Sequence, residues 1–208
     1  MAVASLTKMT VPLASDQSNP TQGLLMPKLK YRFRVEFQNF GVSTPRTELT
    51  KQVMDFTRPT VSFEEMTIPI YNSTIKLAGK YSWGDITCNL RDDASGAVSK
   101  LVGEQLQKQL DFAEQASAAS GIDYKFVTQF QVLDGGNGTN APQILETWEL
   151  YGCFLSEVNY GDMNYGTSEP ATIAMTIKFD NAVQVNTAGD QVGVGQPITR
   201  TVNDVTTG

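Results

Sequence analysis

The stretch "EVNYGDMNYGTSEP", residues 157 to 170, sets two carboxylates, Asp162 and Glu169, beside two copies of Asn-Tyr-Gly. Glycines next to acids are what an ion-binding loop requires, because backbone N–H groups approach anions there and carboxylate oxygens approach cations. The stretch "DGGNGTN", 134 to 140, suggests the same chemistry. Neither meets a template. "DGGNGTN" lacks the Lys-Ser/Thr of a phosphate loop, and Gly136 stands where a calcium loop has its second acid or amide. Asparagine and aspartate bond their own backbone and glycine takes positive φ, so both stretches read as turns between strands.

The other groups suited to acid–base work are Asp92-Asp93, Glu64-Glu65, Glu146, Glu149 and Glu157. Asp92, Asp93 and Ser95 precede a helical stripe, where capping and the helix dipole account for them. The glutamates read as solvated strand faces. With 0 histidines, Ser-His-Asp and Cys-His arrangements and imidazole metal ligands are excluded. Cys88 and Cys153 sit in apolar, strand-like stretches without C-x-x-C spacing and read as buried free thiols. No catalysis, no metal and no cofactor are expected. "NST" at 72 to 74 and "NGT" at 137 to 139 match a glycosylation acceptor, which has no meaning without export.

Sixteen basic against twenty-two acidic side chains give 16 − 22 = −6, so no basic surface invites nucleic acid or anionic lipid. Charged residues are 18 % of the chain, below the roughly 25 % of soluble domains, which fits a surface reserved for protein contacts. The first residues contain no continuous apolar core of a secretory signal, and no membrane-spanning run follows. The chain reads as one made and used in the cytosol.

The elements that position these groups follow from periodicity. In "YRFRVEF", Tyr31, Phe33, Val35 and Phe37 alternate with Arg32, Arg34 and Glu36, which predicts a strand. Residues 52 to 90 predict three or four strands punctuated by Pro59, Pro69, "YNS" and Gly79, with Pro69 suited to an edge strand. From Asp92 the period changes, and Val98, Leu101, Val102, Leu106, Leu110 and Ala113 form one stripe of an amphipathic helix. Tyr124, Phe126, Thr128, Phe130 and Val132 share one face of a following strand, and Ile173, Met175, Ile177 and Phe179 one face of the last. The order predicts a mainly β protein, an antiparallel β-sandwich or barrel with one flanking α-helix and extended N- and C-terminal arms. The expected division is an arm at 1–28, a domain at 29–182 and an arm at 183–208, both arms ordered by neighbouring molecules.

Taken in order, "IPIYNSTIKLAGKYSWGDITCNLRDD" before the helix and "WELYGCFLSEVNYGDMNYGTSEPATIAMTIKFDN" near the end resemble the tail tube proteins of contractile-tailed bacteriophages. The first signature of that family is an Ile-Pro strand, an Asn-containing hairpin into an Ile-x-x-Ala-Gly strand, then an aromatic-bearing strand ending in acids. Here Ile68-Pro69, Asn72, Ile75 to Gly79, Trp83 to Leu90 and Asp92-Asp93 fill it. The second is a strand ending in Gly-x-Trp-Pro-x-x-Val, an aromatic turn, an acid and a final alternating strand. Gly152, Val158, Tyr165, Glu169 and "TIAMTIKFD" match it, whereas Phe154 stands in place of tryptophan and Leu155 in place of proline. The resemblance spans residues 31 to 112 and 144 to 182.

The resemblance implies a subunit of hexameric rings stacked into a hollow tube inside a sheath protein, between a baseplate initiator and a tail terminator. It implies a lumen that holds tape measure protein and then conducts DNA without binding it. The place is the virion tail tube, assembled in the host cytoplasm, with no membrane insertion by the subunit. An initiator or terminator, or the tube of a related contractile injection system, carries the same pieces. A β-sandwich carbohydrate enzyme with two carboxylates near Trp83 or Trp148 is the reading from another class. Within the tube reading, Ile68, Pro69, Tyr71, Asn72, Ile75 and Leu77 are expected in a hairpin that reaches a neighbouring subunit. Glu36, Glu146, Glu149 and Asp162 are the acids expected to face the lumen.

Overall fold

The computed structural model describes residues 27–43, 47–135 and 141–198. The chain divides into one unit ending at Arg32 and another beginning at Phe33. In the first, the Arg32 N–H donates to the Leu29 carbonyl at 3.2 Å and the Arg32 guanidinium lies 5.5 Å from the Tyr31 ring centre. The expected N-terminal arm lies outside the described residues except at 27 and 28.

The second unit runs β1 (Phe33–Gln38), α1 (Thr47–Gln52), β2 (Val53–Phe56), β3 (Val61–Ile70), β4 (Ser73–Trp83), β5 (Ile86–Arg91), α2 (Ala97–Gln109), β6 (Leu110–Asp111), β7 (Ala116–Ser117), α3 (Gly121–Tyr124), β8 (Phe126–Leu133), β9 (Ile144–Asn159), β10 (Thr172–Lys178) and β11 (Asn181–Val185). Every strand pair is antiparallel. The main sheet has the order β1-β8-β9-β10-β5-β2, with β11 also on β9.

β9 holds the two halves together. Its first half pairs with β8 and β11, and its second half with β10. Between them Gly152 adopts φ 69, a left-handed conformation that turns the strand and that a side chain resists. A bulge at Ser156 follows, since Thr176 faces Glu157 and Ile177 faces Leu155. The halves close over one core. Val35, Phe126, Phe130 and Leu150 come from one half, and Ile86, Leu90, Ile173 and Ile177 from the other. Phe56 of β2 stacks on Phe130 of β8 with centroids 5.3 Å apart. The architecture is the antiparallel, mainly β sandwich that the period-two patterns predict.

α2 buries Val98, Leu101 and Val102, as its stripe predicts. Leu110 and Ala113 leave it, because the chain extends at Leu110 to pair with Ser117. Asp93 does serve the helix start: its Oδ1 accepts the Val98 N–H at 3.0 Å, whereas Asp92 Oδ1 accepts from Asp93 N–H. Bonds from the Ser95 hydroxyl, then the Val98 amide, hold the Asp93 carboxyl below its ordinary range. Two shorter helices, α1 and α3, accompany the single one expected.

The expected C-terminal arm needs correction at its start. Val183 and Val185 are buried in β11, and the chain then returns along that strand. Gln184 N–H donates to the Val194 carbonyl, and Val192 N–H to the Gln184 carbonyl, both at 2.8 Å. The alternation of Ala182, Gln184 and their neighbours was too short to separate from the polar tail that follows.

Candidate assembly surface

β3 and β4 stand outside the main sheet as a two-stranded ribbon, joined by Tyr71 and Asn72. Tyr71 takes φ 40 at the first turn position, the sign that matches the twist of a hairpin. Pro69 sits opposite Thr74 in a ribbon whose two strands each leave one edge unpaired, a place that tolerates a missing N–H. From Val61 to Ile70 every residue is exposed.

Cross-strand register sorts the side chains. Met66 faces Leu77 and Ile68 faces Ile75, so these four, with Ile70, form one apolar face toward the tip. Each is 40–53 % exposed. The opposite face carries Thr67 and Thr74, with a 3.0 Å ion pair from Lys76 to Glu65. Nearer the root the pattern inverts. Phe63 faces Tyr81, but Glu65 faces Ala78, so Gly79 and Lys80 together oppose Glu64. This bulge sends Tyr81 and Trp83 to the face opposite Ile75 and Leu77, although all four occupy odd positions of one strand. Phe63, Tyr81, Trp83 and Phe179 then form a chain of rings, with centroids 6.4, 6.3 and 5.5 Å apart.

The root is tied down. Gly84 N–H donates to the Thr60 carbonyl at 2.9 Å, and Thr57 N–H to the Thr87 carbonyl at 3.0 Å. Arg58 pairs with Glu146 at 2.9 Å, and Trp148 Nε1 donates to the same Glu146 oxygen at 2.5 Å.

That contact decides one of the four acids. Glu146 is buried and lies on the core side of β9, so it does not belong to a lumen wall; a one-residue alternation separates it from the outer positions. Glu36 and Glu149 do share an outer face, because Glu36 opposes Gln129 and Gln129 opposes Glu149. Arg34 joins that face, 2.9 Å from Glu36 and 2.8 Å from Gln131 Oε1. Gln129 donates to Glu149 at 2.8 Å, and Tyr151 donates its hydroxyl to the same carboxylate, which raises the tyrosine pKa. Asp162 lies elsewhere, in the exposed loop between β9 and β10.

The two Asn-Tyr-Gly copies share one hydrogen bond, although Gly161 takes positive φ and Gly166 does not. Asn159 Oδ1 accepts the Gly161 N–H and Asn164 Oδ1 accepts the Gly166 N–H, each at 2.8 Å. Both are turns in which the side-chain amide stands in for backbone. The opening stretch therefore shapes the chain, and among the described residues no group of three or more acids or cysteines is placed to hold a metal. Part of "DGGNGTN", 136 to 140, lies outside the described residues; Asp134 closes its base by accepting the Gln143 N–H at 2.8 Å. Cys88 and Cys153 are buried free thiols, and burial raises both pKa values, that of Cys153 to about 11. Trp83 and Trp148 have the ring and carboxylate partners given above. A surface groove beside β9, lined by Gln109, Tyr124, Phe154, Ser156 and Lys178 among others, brings no two carboxylates together among the described residues.

Sequence comparison gives no matching family model and no matching curated protein. Solved structures do match. A chain of the anti-feeding prophage baseplate, symmetrised six-fold, superposes with a TM-score of 0.57 at 13 % identity, over 79 % of this chain and 99 % of that one. A chain of the tube-terminating cap of the same prophage gives 0.56 at 12 % identity, over 79 % and 95 %. A chain of the sheath-tube complex of an extracellular contractile injection system, in its extended state, gives 0.53 at 12 % identity, over 85 % and 99 %. These chains share its fold.

Sequence reasoning named Ile68, Ile75 and Leu77 but missed Met66 and Ile70, which complete the face, and Arg58, which anchors its root. Period two would have supplied the first pair. The Arg58 contact spans 88 positions and leaves no local signal.

Proposed function

We propose that this protein is a structural, non-enzymatic subunit of the tube of a contractile-tail assembly, self-associating into hexameric rings that stack. The observation that carries the reading is the ribbon β3–β4. A monomer has no use for a paired, projecting hairpin with five half-exposed aliphatic side chains on one face, since such patches mark protein contacts. The fold shared with chains from baseplate, cap and sheath-tube assemblies supports it. Ile68, Ile75 and Leu77 make the contact, Pro69 keeps the strand an edge, and Tyr71 and Asn72 form its tip.

The polar outer face bearing Glu36 and Glu149 is the candidate lumen wall. Its carboxylates repel phosphate, so DNA slides past it. Tape measure protein fills the same channel before ejection, sheath protein surrounds the tube, and initiator and terminator close its ends in a phage virion. A subunit at the end of such a tube is the second reading, favoured by the baseplate and cap chains among the matches.

Negative-stain microscopy of the purified protein tests the proposal. Long tubes support the tube subunit, and rings that never stack support the end subunit. Ile75→Asp should abolish stacking while the thermal melt of the monomer stays unchanged, because Ile75 is half-exposed and lies on the apolar face of the ribbon opposite Ile68. A protein that remains monomeric at every concentration, also with preformed baseplates, overturns both.

A further inference from the structure

The hairpin and the Asn-Tyr-Gly loop lie at opposite ends of the same strands. β5 starts at Ile86, just after the ribbon, and ends at Arg91, opposite Thr172 of β10 where the loop returns. Asp92 N–H, the residue after β5, donates to the Ala171 carbonyl at 2.9 Å. Six residues of extended chain separate the two sites, about 20 Å.

The loop presents large side chains that the sandwich does not cover. Met163 is 83 % and Tyr165 fully exposed, with Tyr160 half-exposed beside them. It is nonetheless held in shape by the two amide turns. Gly161, at φ 69, lies so close to β10 that a Cβ there would stand 2.9 Å from the Thr172 carbonyl oxygen. A constrained loop offering two tyrosines and a methionine has the composition of an interface centre, where aromatic and thioether side chains give contact area at low entropic cost.

We propose that the loop 160–166 is the seat for the apolar hairpin face of a second copy of this chain. This inference rests on the tube reading and names the surface that receives the hairpin. Two unlike patches at opposite ends of one domain make a heterologous contact. Such a contact leaves both patches of the pair's outer ends free, so it propagates in one direction without closing. The face of Met66, Ile68, Ile70, Ile75 and Leu77 supplies an aliphatic surface about 15 Å long in the tip half of the ribbon. Tyr160, Met163 and Tyr165 supply the complementary knobs.

Cross-linking between two single variants tests it. Ile75→Cys and Met163→Cys each add one exposed thiol, while Cys88 and Cys153 remain buried. A short bis-maleimide should give several-fold more covalent dimer in the mixture than in either variant alone. Equal dimer from Ile75→Cys alone means that the hairpin meets its own copy, and overturns the proposal. Tubes of the unmodified protein with no cross-link in the mixture overturn it as well and leave the tube reading standing; no assembly of the unmodified protein overturns both. As a second measurement, the Met163→Asp and Tyr165→Ala double variant should retain rings and lose stacks. Stacks of normal length from that variant count against the seat.

Discussion

Arg58 reaches Glu146 across the root of the hairpin, with Nη2 2.9 Å from a carboxylate oxygen on a residue that is only 5 % exposed. A carboxylate so far from water requires a cation and hydrogen bonds together. Here the cation sits in the linker between β2 and β3, and the hydrogen bond comes from Trp148. The charge that the core must neutralise thereby fixes where the ribbon leaves the sandwich. Trp83 on Phe179 is a second tie at the same root.

Removing Arg58 takes a cation from the buried Glu146 carboxylate while the Trp148 donor stays. Arg58→Ala is expected to cost about 1–3 kcal/mol, less than a fully buried pair because the arginine is itself half-exposed. Glu146→Gln keeps the acceptor for Trp148 and should cost less. Urea denaturation of both single variants and the double variant checks the link: the double loss should fall short of the sum by at least about 0.5 kcal/mol. Additive losses would show that the pair does not hold the root.

Gly152 gives the sharpest local test of the bend in β9. A Cβ at this position would overlap the Asp180 carboxylate, which Lys125 Nζ fixes at 2.5 Å, and φ 69 opposes any side chain there. Gly152→Ala should destabilise by about 2–4 kcal/mol through strain and overpacking together. Gly103, in α2, has nothing within 4 Å of its own added Cβ, so Gly103→Ala serves as the control and should stabilise by up to about 1 kcal/mol. Paired thermal melts decide it.

What was legible in the sequence followed from what each signal measures. Phe126, Thr128, Phe130 and Val132 alternate, and all four are buried, because a half-buried strand writes period two directly into its sequence. The helix start was legible for the same kind of reason, whereas its end was not: Leu110 continues the stripe but extends to pair with Ser117. The assembly face was half-legible. Ile75, Leu77, Tyr81 and Trp83 occupy odd positions of one strand, and a single bulge at Gly79 and Lys80 splits them across two faces. The side to which Glu146 points depended on register against β8, and its partner Arg58 on tertiary closure, neither of which a local pattern encodes.

Glu104 ties the chain after β1 to α2 and should respond to acid. Its carboxylate accepts from the Ser43 hydroxyl at 2.5 Å, the Ser43 N–H at 2.7 Å and the Val42 N–H at 2.9 Å. Those bonds, the Ser43 hydroxyl first, lower its pKa from 4.5 to about 2. A depressed carboxylate stabilises the fold above its unfolded value and loses that contribution as pH falls through the folded one. Glu104→Gln should therefore cost about 1–2 kcal/mol at neutral pH. The gap from the parent should narrow from about pH 4.5 downward and nearly vanish near pH 2. A gap constant over that range would exclude Glu104 as the source.

The chain after β11 folds back on the strand it leaves. Residues 186–196 return along β11 through the paired bonds of Gln184 with Val192 and Val194, and the turn is set by Asn186, whose Oδ1 accepts the Ala188 and Asp190 N–H groups at 2.9 Å. The glycines in this return are there for proximity. A Cβ on Gly193 would lie 2.6 Å from Gln184 Oε1, and one on Gly195 2.9 Å from Val183 Cγ1. The return covers Val183 and Val185 and occupies a strand edge that would otherwise stand open beside β9, where unpaired edges invite adventitious pairing. Truncation after Val185 removes the two backbone hydrogen bonds made to Gln184 and uncovers both valines, together about 2–4 kcal/mol. For a domain of this size the melting temperature should fall by about 5–12 °C. Truncation after residue 198 leaves the return intact and should leave the monomer's melt unchanged. If the two truncations melt alike, the return contributes nothing to the sandwich and its stability ends at β11.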